Sequence, residues 1–217
     1  MTKTGGAARP PIAADPDSLL DTFQIYRKQI TVTAIVVAVV VGGGFLWQAN
    51  KARRETQAEK AFFDAMNLVG QRDPKAPDAL SKVAQRYDGT AGGAQAALLY
   101  AQAKFDEGKY ADGQKVLEGI AAPKTFAAGI EALKAAGYEG EKKFDLAAEH
   151  YLKAVAKASL QGEKDYLKGE AARALANAGK RVEAAKLWGE LAEKVDSPMA
   201  SEARIRMGEL TATTVKP

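Results

Sequence analysis

The sequence predicts an all-α protein: one N-terminal transmembrane helix followed by a helical-repeat (α-solenoid) domain. Three observations predict it. Alanine, the strongest helix former, supplies 44 of the 217 residues. Residues 30–47 form an 18-residue run without a charge, rich in Val. Beyond that run, short Gly-containing breaks separate apolar stripes of helical period, and similar breaks recur about every 34 residues.

The same composition excludes much chemistry. There is no Cys, which removes disulfide scaffolds, iron–sulfur centres, thiolate zinc sites and a cysteine nucleophile. A single His rules out a histidine metal cluster within one chain. The net charge is +4, but residues 51–217 hold 27 basic and 24 acidic residues with the signs interspersed. That pattern is a solvated surface, so no nucleic-acid partner is expected. Gly42-Gly43-Gly44 and Gly92-Gly93 lack the Lys-Ser/Thr of a phosphate loop. No catalytic residue, metal or cofactor is expected.

Taken in order, residues 1–17 (MTKTGGAARPPIAADPD) read as a disordered tail, with three Pro and few large apolar residues. Residues 18–29 place Leu19, Leu20, Phe23 and Tyr26 on one face, which predicts an amphipathic juxtamembrane helix leading into the span. Residues 30–47 would extend about 27 Å as a helix, enough for a bilayer core. Their Val content does not argue for a strand, because lipid requires internal backbone pairing. A cleaved signal peptide is the main alternative, but 29 residues precede this core and a basic run follows it. Arg27 and Lys28 lie before the span and Lys51, Arg53 and Arg54 after it. Counted alone, these lean weakly toward a cytoplasmic C-terminal part. Ala34, Ala38 and Gly42 are four apart and share one helix face, a candidate transmembrane packing face.

Residues 51–213 read as the repeat domain and 214–217 as a tail. Nine helices are expected, over 55–70, 78–87, 91–107, 110–120, 125–138, 144–158, 163–178, 182–195 and 198–211. Phe62, Phe63, Met66 and Val69 form the stripe of the first. Thr125 is a candidate N-cap, and Ser197-Pro198 reads as a helix start. His150, alone between Glu149 and Tyr151, reads as a surface or partly packed residue.

Three turns look alike: Gly108-Lys109-Tyr110, Gly140 through Phe144, and Gly179 through Val182. Each ends a helix with Gly, adds Lys, and begins the next helix on an apolar residue. Tyr110, Phe144 and Val182 are 34 and 38 apart, the period of tetratricopeptide helix pairs. Small residues such as Ala101, Ala135, Ala147 and Ala154 suit close helix approach. The stretch Phe144-Asp-Leu-Ala147-Ala-Glu-His-Tyr151-Leu-Lys-Ala154 resembles the second helix of such a repeat.

The chain also resembles, over about 18–212, the YfgM-like family of bacterial tetratricopeptide proteins. The resemblance rests on the amphipathic N-terminal helix, the span with its Gly-rich end and Trp47, the basic exit Lys51-Ala-Arg53-Arg54, the Phe62-Phe63 pair and the closing Ser197-Pro198 to Arg204 helix. It implies an ancillary subunit of the SecYEG translocon in the bacterial inner membrane, with a cytoplasmic N-terminus and a periplasmic repeat domain. It implies protein partners: translocon subunits, periplasmic chaperones and secreted clients. The orientation it implies is opposite to that favoured by the charge count. Two alternatives stay open: an envelope or cell-division assembly scaffold of the same fold and, more remotely, an enzyme-maturation subunit.

Overall fold

The computed structural model describes residues 16–212, with side chains described for 31–210. The helices are α1 (Pro16–Gly70), α2 (Ala76–Arg86), α3 (Ala91–Asp106), α4 (Tyr110–Glu118), α5 (Ala127–Gly140), α6 (Phe144–Lys157), α7 (Gln161–Asn177), α8 (Arg181–Ala192) and α9 (Ala200–Ala212). A 3-10 turn over Lys124–Phe126 precedes α5. No strand occurs among the described residues. The tails expected over 1–17 and 214–217 lie outside the described residues, apart from Pro16 and Asp17, which open α1. The side chains expected to form the amphipathic face of 18–29 also lie outside them.

The chain divides into two units, Met1–Ala52 and Arg53–Pro217. In the first, the apolar run is helical and uncovered: Val36, Val40, Phe45 and Trp47 are all exposed. The Lys51 ammonium lies 5.6 Å from the Trp47 ring centroid. The sequence reading separated the span from a helix over 55–70, whereas α1 runs through both. Residues 45–69 contain neither Gly nor Pro, so nothing between the two segments stops a helix once begun.

The second unit is a series of helix pairs: the C-terminal part of α1 with α2, α3 with α4, α5 with α6, and α7 with α8. Helix α9 closes the series against α8. Four reversals join the pairs internally. Arg72, Gly108, Lys142 and Gly179 take left-handed conformations, with φ of 55°, 74°, 59° and 81°. Each donates its N–H to the carbonyl three residues back, at 2.8–3.0 Å. The following residue (Asp73, Lys109, Lys143, Lys180) donates to the carbonyl five back, at 2.8–2.9 Å. These are Schellman turns, which satisfy the orphaned carbonyls of a helix end.

This geometry corrects the sequence alignment of the turns. Gly140 belongs to α5, and Lys142 is the left-handed residue. Arg181 opens α8, and Val182 is 85% exposed rather than packed. A fourth turn, at Arg72, follows the same pattern, with Gly70 ending α1 two residues earlier as Gly140 ends α5 before Lys142. The left-handed residues are 36, 34 and 37 apart.

After each turn the second helix presents a small residue and a large one four later, and a third apolar residue follows three beyond that, in one case (Ile120) just past the helix end. The sets are Ala76/Leu80/Val83, Gly113/Leu117/Ile120, Ala147/Tyr151/Ala154 and Ala184/Trp188/Leu191. All are buried except Ile120, which is partly so. The small position admits the preceding helix. At Gly113 a Cβ would lie 2.3 Å from the Phe105 ring and 2.9 Å from the Ala101 carbonyl oxygen. At Gly140 it would lie 2.1 Å from the Tyr110 ring.

The first stripe also differs from expectation. Ala58 and Ala65 are buried and Phe62 packs partly, while Phe63 and Val69 are exposed. Alanine takes the contact because the neighbouring backbone is so close: a Cβ on Gly92 would meet the Ala58 carbonyl carbon at 2.6 Å. Thr125 does not cap a helix; it lies inside the 3-10 turn, and α5 has no side-chain cap. Ser197 lies three residues before α9, in the turn that leads into it, where its Oγ accepts the Met199 N–H at 3.2 Å.

Two substitutions test the turn and packing assignments. Lys142→Gly relieves left-handed strain and is expected to stabilise the domain by up to about 1 kcal/mol. Gly113→Ala overpacks Phe105 and is expected to cost about 1–3 kcal/mol. Chemical denaturation followed by Trp188 fluorescence measures both; a destabilised Lys142→Gly protein would remove the turn assignment.

Candidate functional site

Two surface grooves of the second unit differ in character. The first has a volume of about 650 Å³ and runs between α2 and α4, the second helices of successive pairs, with α3 as its floor. Ala84, Ala97, Val116 and Ile120 supply apolar lining, and Tyr100 adds a ring. Ser81, Gln85, Lys104, Asp112 and Lys115 add polar and charged lining of both signs, and Asp88 lies just after the end of α2.

Local sequence sets this groove. Asp88-Gly89-Thr90 turns the chain into α3, with Gly89 at φ 83°. Thr90 Oγ accepts the Gly93 N–H at 3.1 Å, capping α3. The Asp88 carboxylate accepts the Ala121 N–H, and the Gly89 N–H donates to the Ala121 carbonyl, both at 2.8 Å. The α2–α3 turn is thereby clipped to the loop after α4. Arg54 donates to the carbonyls of Arg86 and Asp88 at 3.3 and 3.1 Å, and Glu55 accepts the Ala91 N–H at 3.0 Å. The "basic exit" residue Arg54 is therefore structural.

The second groove, about 420 Å³, lies among α7, α8 and α9. Arg173, Arg181 and Arg206 line it beside Trp188. Its cations are partnered: Arg173 pairs with Glu170 and with Glu202, Arg206 pairs with Glu209 at 3.0 Å, and Arg181 donates to the Leu210 carbonyl at 3.3 Å. Arg173 also lies 5.9 Å from the Trp188 ring centroid. The arginines thus join helices rather than leave an open anion site.

Three further ionisable groups are internal. Asp165, 2% exposed, accepts from Gln161 and Lys194 at 2.8 and 2.6 Å. Burial pushes its carboxyl up, but Lys194 and hydrogen bonds from Ser197 and Gln161 outweigh this and hold it below the usual value. Glu131 behaves alike: burial raises it, while Lys157 and His150 lower it further. His150 Nδ1 lies 2.8 Å from Glu131 Oε2, and its ring sits 5.1 Å from that of Tyr138. It is a packed residue tying α6 to α5. At Glu139 burial wins, aided by the nearby Glu170 carboxylate, and the carboxyl lies above its usual value. Tyr151 donates to it at 3.1 Å. No group of three or more His, Cys, Asp or Glu suited to a metal occurs among the described residues.

The sequence reading singled out Ala34, Ala38 and Gly42. All three are exposed on α1, and a Cβ on Gly42 would meet nothing within 4 Å. The helical backbone keeps them on one face. The groove residues escaped the sequence reading, because Ala84, Tyr100 and Val116 belong to three different helices and share no sequence pattern.

A family model described as a tetratricopeptide repeat-like domain matches residues 22–207. No curated protein matches the chain. Among solved structures, one of a Podosopora anserina putative kinesin light chain with nearly identical TPR-like repeats is similar, with a TM-score of 0.55 and 17% identity. The match covers 75% of this chain and 87% of that one.

The buried carboxylate gives a pH-dependent expectation. Because the folded Asp165 carboxyl lies below its ordinary value, its contribution is complete above that value and is lost as acid protonates it. Asp165→Ala is expected to cost about 2–4 kcal/mol at neutral pH, and the deficit should shrink in acid. Denaturation at neutral pH and at successively lower pH measures this. A deficit independent of pH would show that the charge is not what holds Lys194 and Ser197.

Proposed function

This chain belongs to the tetratricopeptide repeat-like domain family, and on that premise we propose that it is a single-pass membrane-anchored protein-interaction module. More specifically, it serves as an ancillary translocon subunit that assists secreted proteins and chaperones at the channel exit. Repeat domains of this kind are typically non-enzymatic scaffolds that bind protein partners, because stacked helix pairs expose long continuous surfaces.

The observation that carries the proposal is α1. One helix holds an uncovered apolar run long enough to cross a membrane and, in its C-terminal part, the first packed stripe of the repeats. Exposed Val, Ile and Phe side chains over such a length are costly in water and favourable in lipid. In this reading residues 30–47 span the bacterial inner membrane and 18–29 lie at its cytoplasmic face. Residues 51–213 form the periplasmic interaction domain. The resemblance to the translocon-associated family supports this orientation, which the weak charge asymmetry does not. Ala34, Ala38 and Gly42 form the face that docks on another membrane helix, since small side chains permit close approach in lipid.

Protease treatment of intact spheroplasts should digest the repeat domain, while a protected domain would reverse the orientation. Detergent-solubilised protein should co-purify with translocon subunits. Recovery of division or envelope-assembly proteins alone would refute that role. Replacing Ala34, Ala38 and Gly42 by Ile should lower this recovery, without unfolding the repeats, by at least about tenfold if close packing contributes roughly 1.4 kcal/mol.

A further inference from the structure

The repeat series is not equally joined along its length. From α5 to α9 one contiguous apolar core takes in Ala135, Tyr151, Leu175, Trp188 and Ala203, one from each helix in turn. The earlier helices bury two smaller clusters, one around Leu80 and Val83 and the other around Phe105 and Leu117. The second cluster reaches α5 through buried Ile130 and partly buried Leu133.

The contact between α4 and α5 is polar where the later ones are apolar. Gln114 of α4 is 6% exposed. Its Nε2 donates to the Lys134 carbonyl of α5 at 2.7 Å, and its Oε1 is buried without a donor. At the same step, directly after the small residue of the second helix, α6 places Ala148 and α8 places Ala185. Ala148 belongs to the long core. An amide oxygen buried without a donor disfavours the closed contact, because opening admits water to it. The preceding pair also meets α5 on glycine. A Cβ on Gly137 would lie 2.6 Å from the Phe105 ring, and one on Gly140 would overlap Tyr110. These rings rest on bare backbone, over which packed helices can slide. Finally, α4 is the shortest helix, at 9 residues, and the connection from it to α5, residues 119–126, is the longest between helices. Ala121 is clipped to Asp88 and Gly89, which leaves 122–126 to absorb a change of direction.

We propose that the α4–α5 contact is a joint. The helices up to α4 form one body and α5–α9 the other, and the two exchange between this closed arrangement and an opened one. In the opened form Ile130 leaves the Phe105–Leu117 cluster and Gln114 Oε1 gains water. The groove over α3 lies wholly on the first body and keeps its lining. A partner that touches both bodies fits one arrangement and shifts the population toward it. The joint is a property of the repeat domain alone and stands or falls apart from the membrane and translocon assignments.

The test uses the full chain in lipid nanodiscs. The chain has no Cys, so pairs of Lys→Cys substitutions place spin labels at chosen sites. Lys82, Lys115, Lys153 and Lys186 are exposed on α2, α4, α6 and α8, and double electron–electron resonance reads the three successive distances between them. The pair Lys115→Cys with Lys153→Cys spans the joint. It should show a second distance component in on the order of a tenth of the molecules, the upper end for a minor conformer. The pairs on either side should show one component each. Gln114→Leu removes the orphaned oxygen and should shrink the second component about tenfold, the ratio that corresponds to roughly 1.4 kcal/mol. One component in all three pairs, or a second component in either outer pair, would overturn the proposal. So would a second component that Gln114→Leu leaves unchanged. The three-pair comparison needs no substitution in the core, so it decides the matter even if Gln114→Leu does not fold.

Discussion

Every helix pair in the repeat domain depends on reversing direction within three to five residues. A helix end leaves its last carbonyls without partners, and a reversal at the edge of a core cannot leave them so. The solution is the same four times. One residue goes left-handed, and two N–H groups fold back onto the carbonyls three and five residues earlier. The next helix then starts with its small-large-apolar face toward the helix just ended. Shift one of these turns by a residue and the small position rotates away by about 100°, driving a bulky side chain into its neighbour.

The tolerance of that arrangement is narrow because the helices are close. Ala101, Ala135, Ala147, Ala154 and Ala184 are fully buried, and at Gly113 and Gly140 even a methyl group would overlap an aromatic ring. Large residues then fill the space opened beside the small ones, as Trp188 and Leu191 do around Ala184. Charged side chains act as ties between the packed layers. Asp165 joins α7 to the end of α8, Arg173 joins α7 to α9, and Glu131 joins α5 to α6 through His150 and Lys157. Each is a buried or half-buried charge with a partner, the condition under which such a group is tolerated.

The first groove follows from the same rules. Two core clusters meet there, one centred on Leu80 and Val83 and the other on Phe105 and Leu117. Their partly buried members, Ala84 and Tyr100 on one side and Val116 and Ile120 on the other, face a common channel. The clip between Asp88, Gly89 and Ala121 holds that channel at one end.

Much was legible without coordinates. Alanine content and apolar stripes at helical period are local properties, and they identified helices, breaks and the repeat period. The uncharged run of 30–47 needed only length and hydropathy. Local signals failed where a neighbour decided the outcome. Gly140 looked like a turn residue, yet it is glycine because the Tyr110 ring lies against it, and Lys142 takes the left-handed position. Phe63 and Val69 looked like core, yet the close approach of Gly92 to Ala58 gives that contact to alanines. That Ala34, Ala38 and Gly42 share one helix face could be read because four-residue spacing alone defines it. The groove over α3 could not, because it exists only when three helices are brought side by side. Periodicity is carried by one segment, whereas close approach and surface shape belong to pairs and triplets of segments.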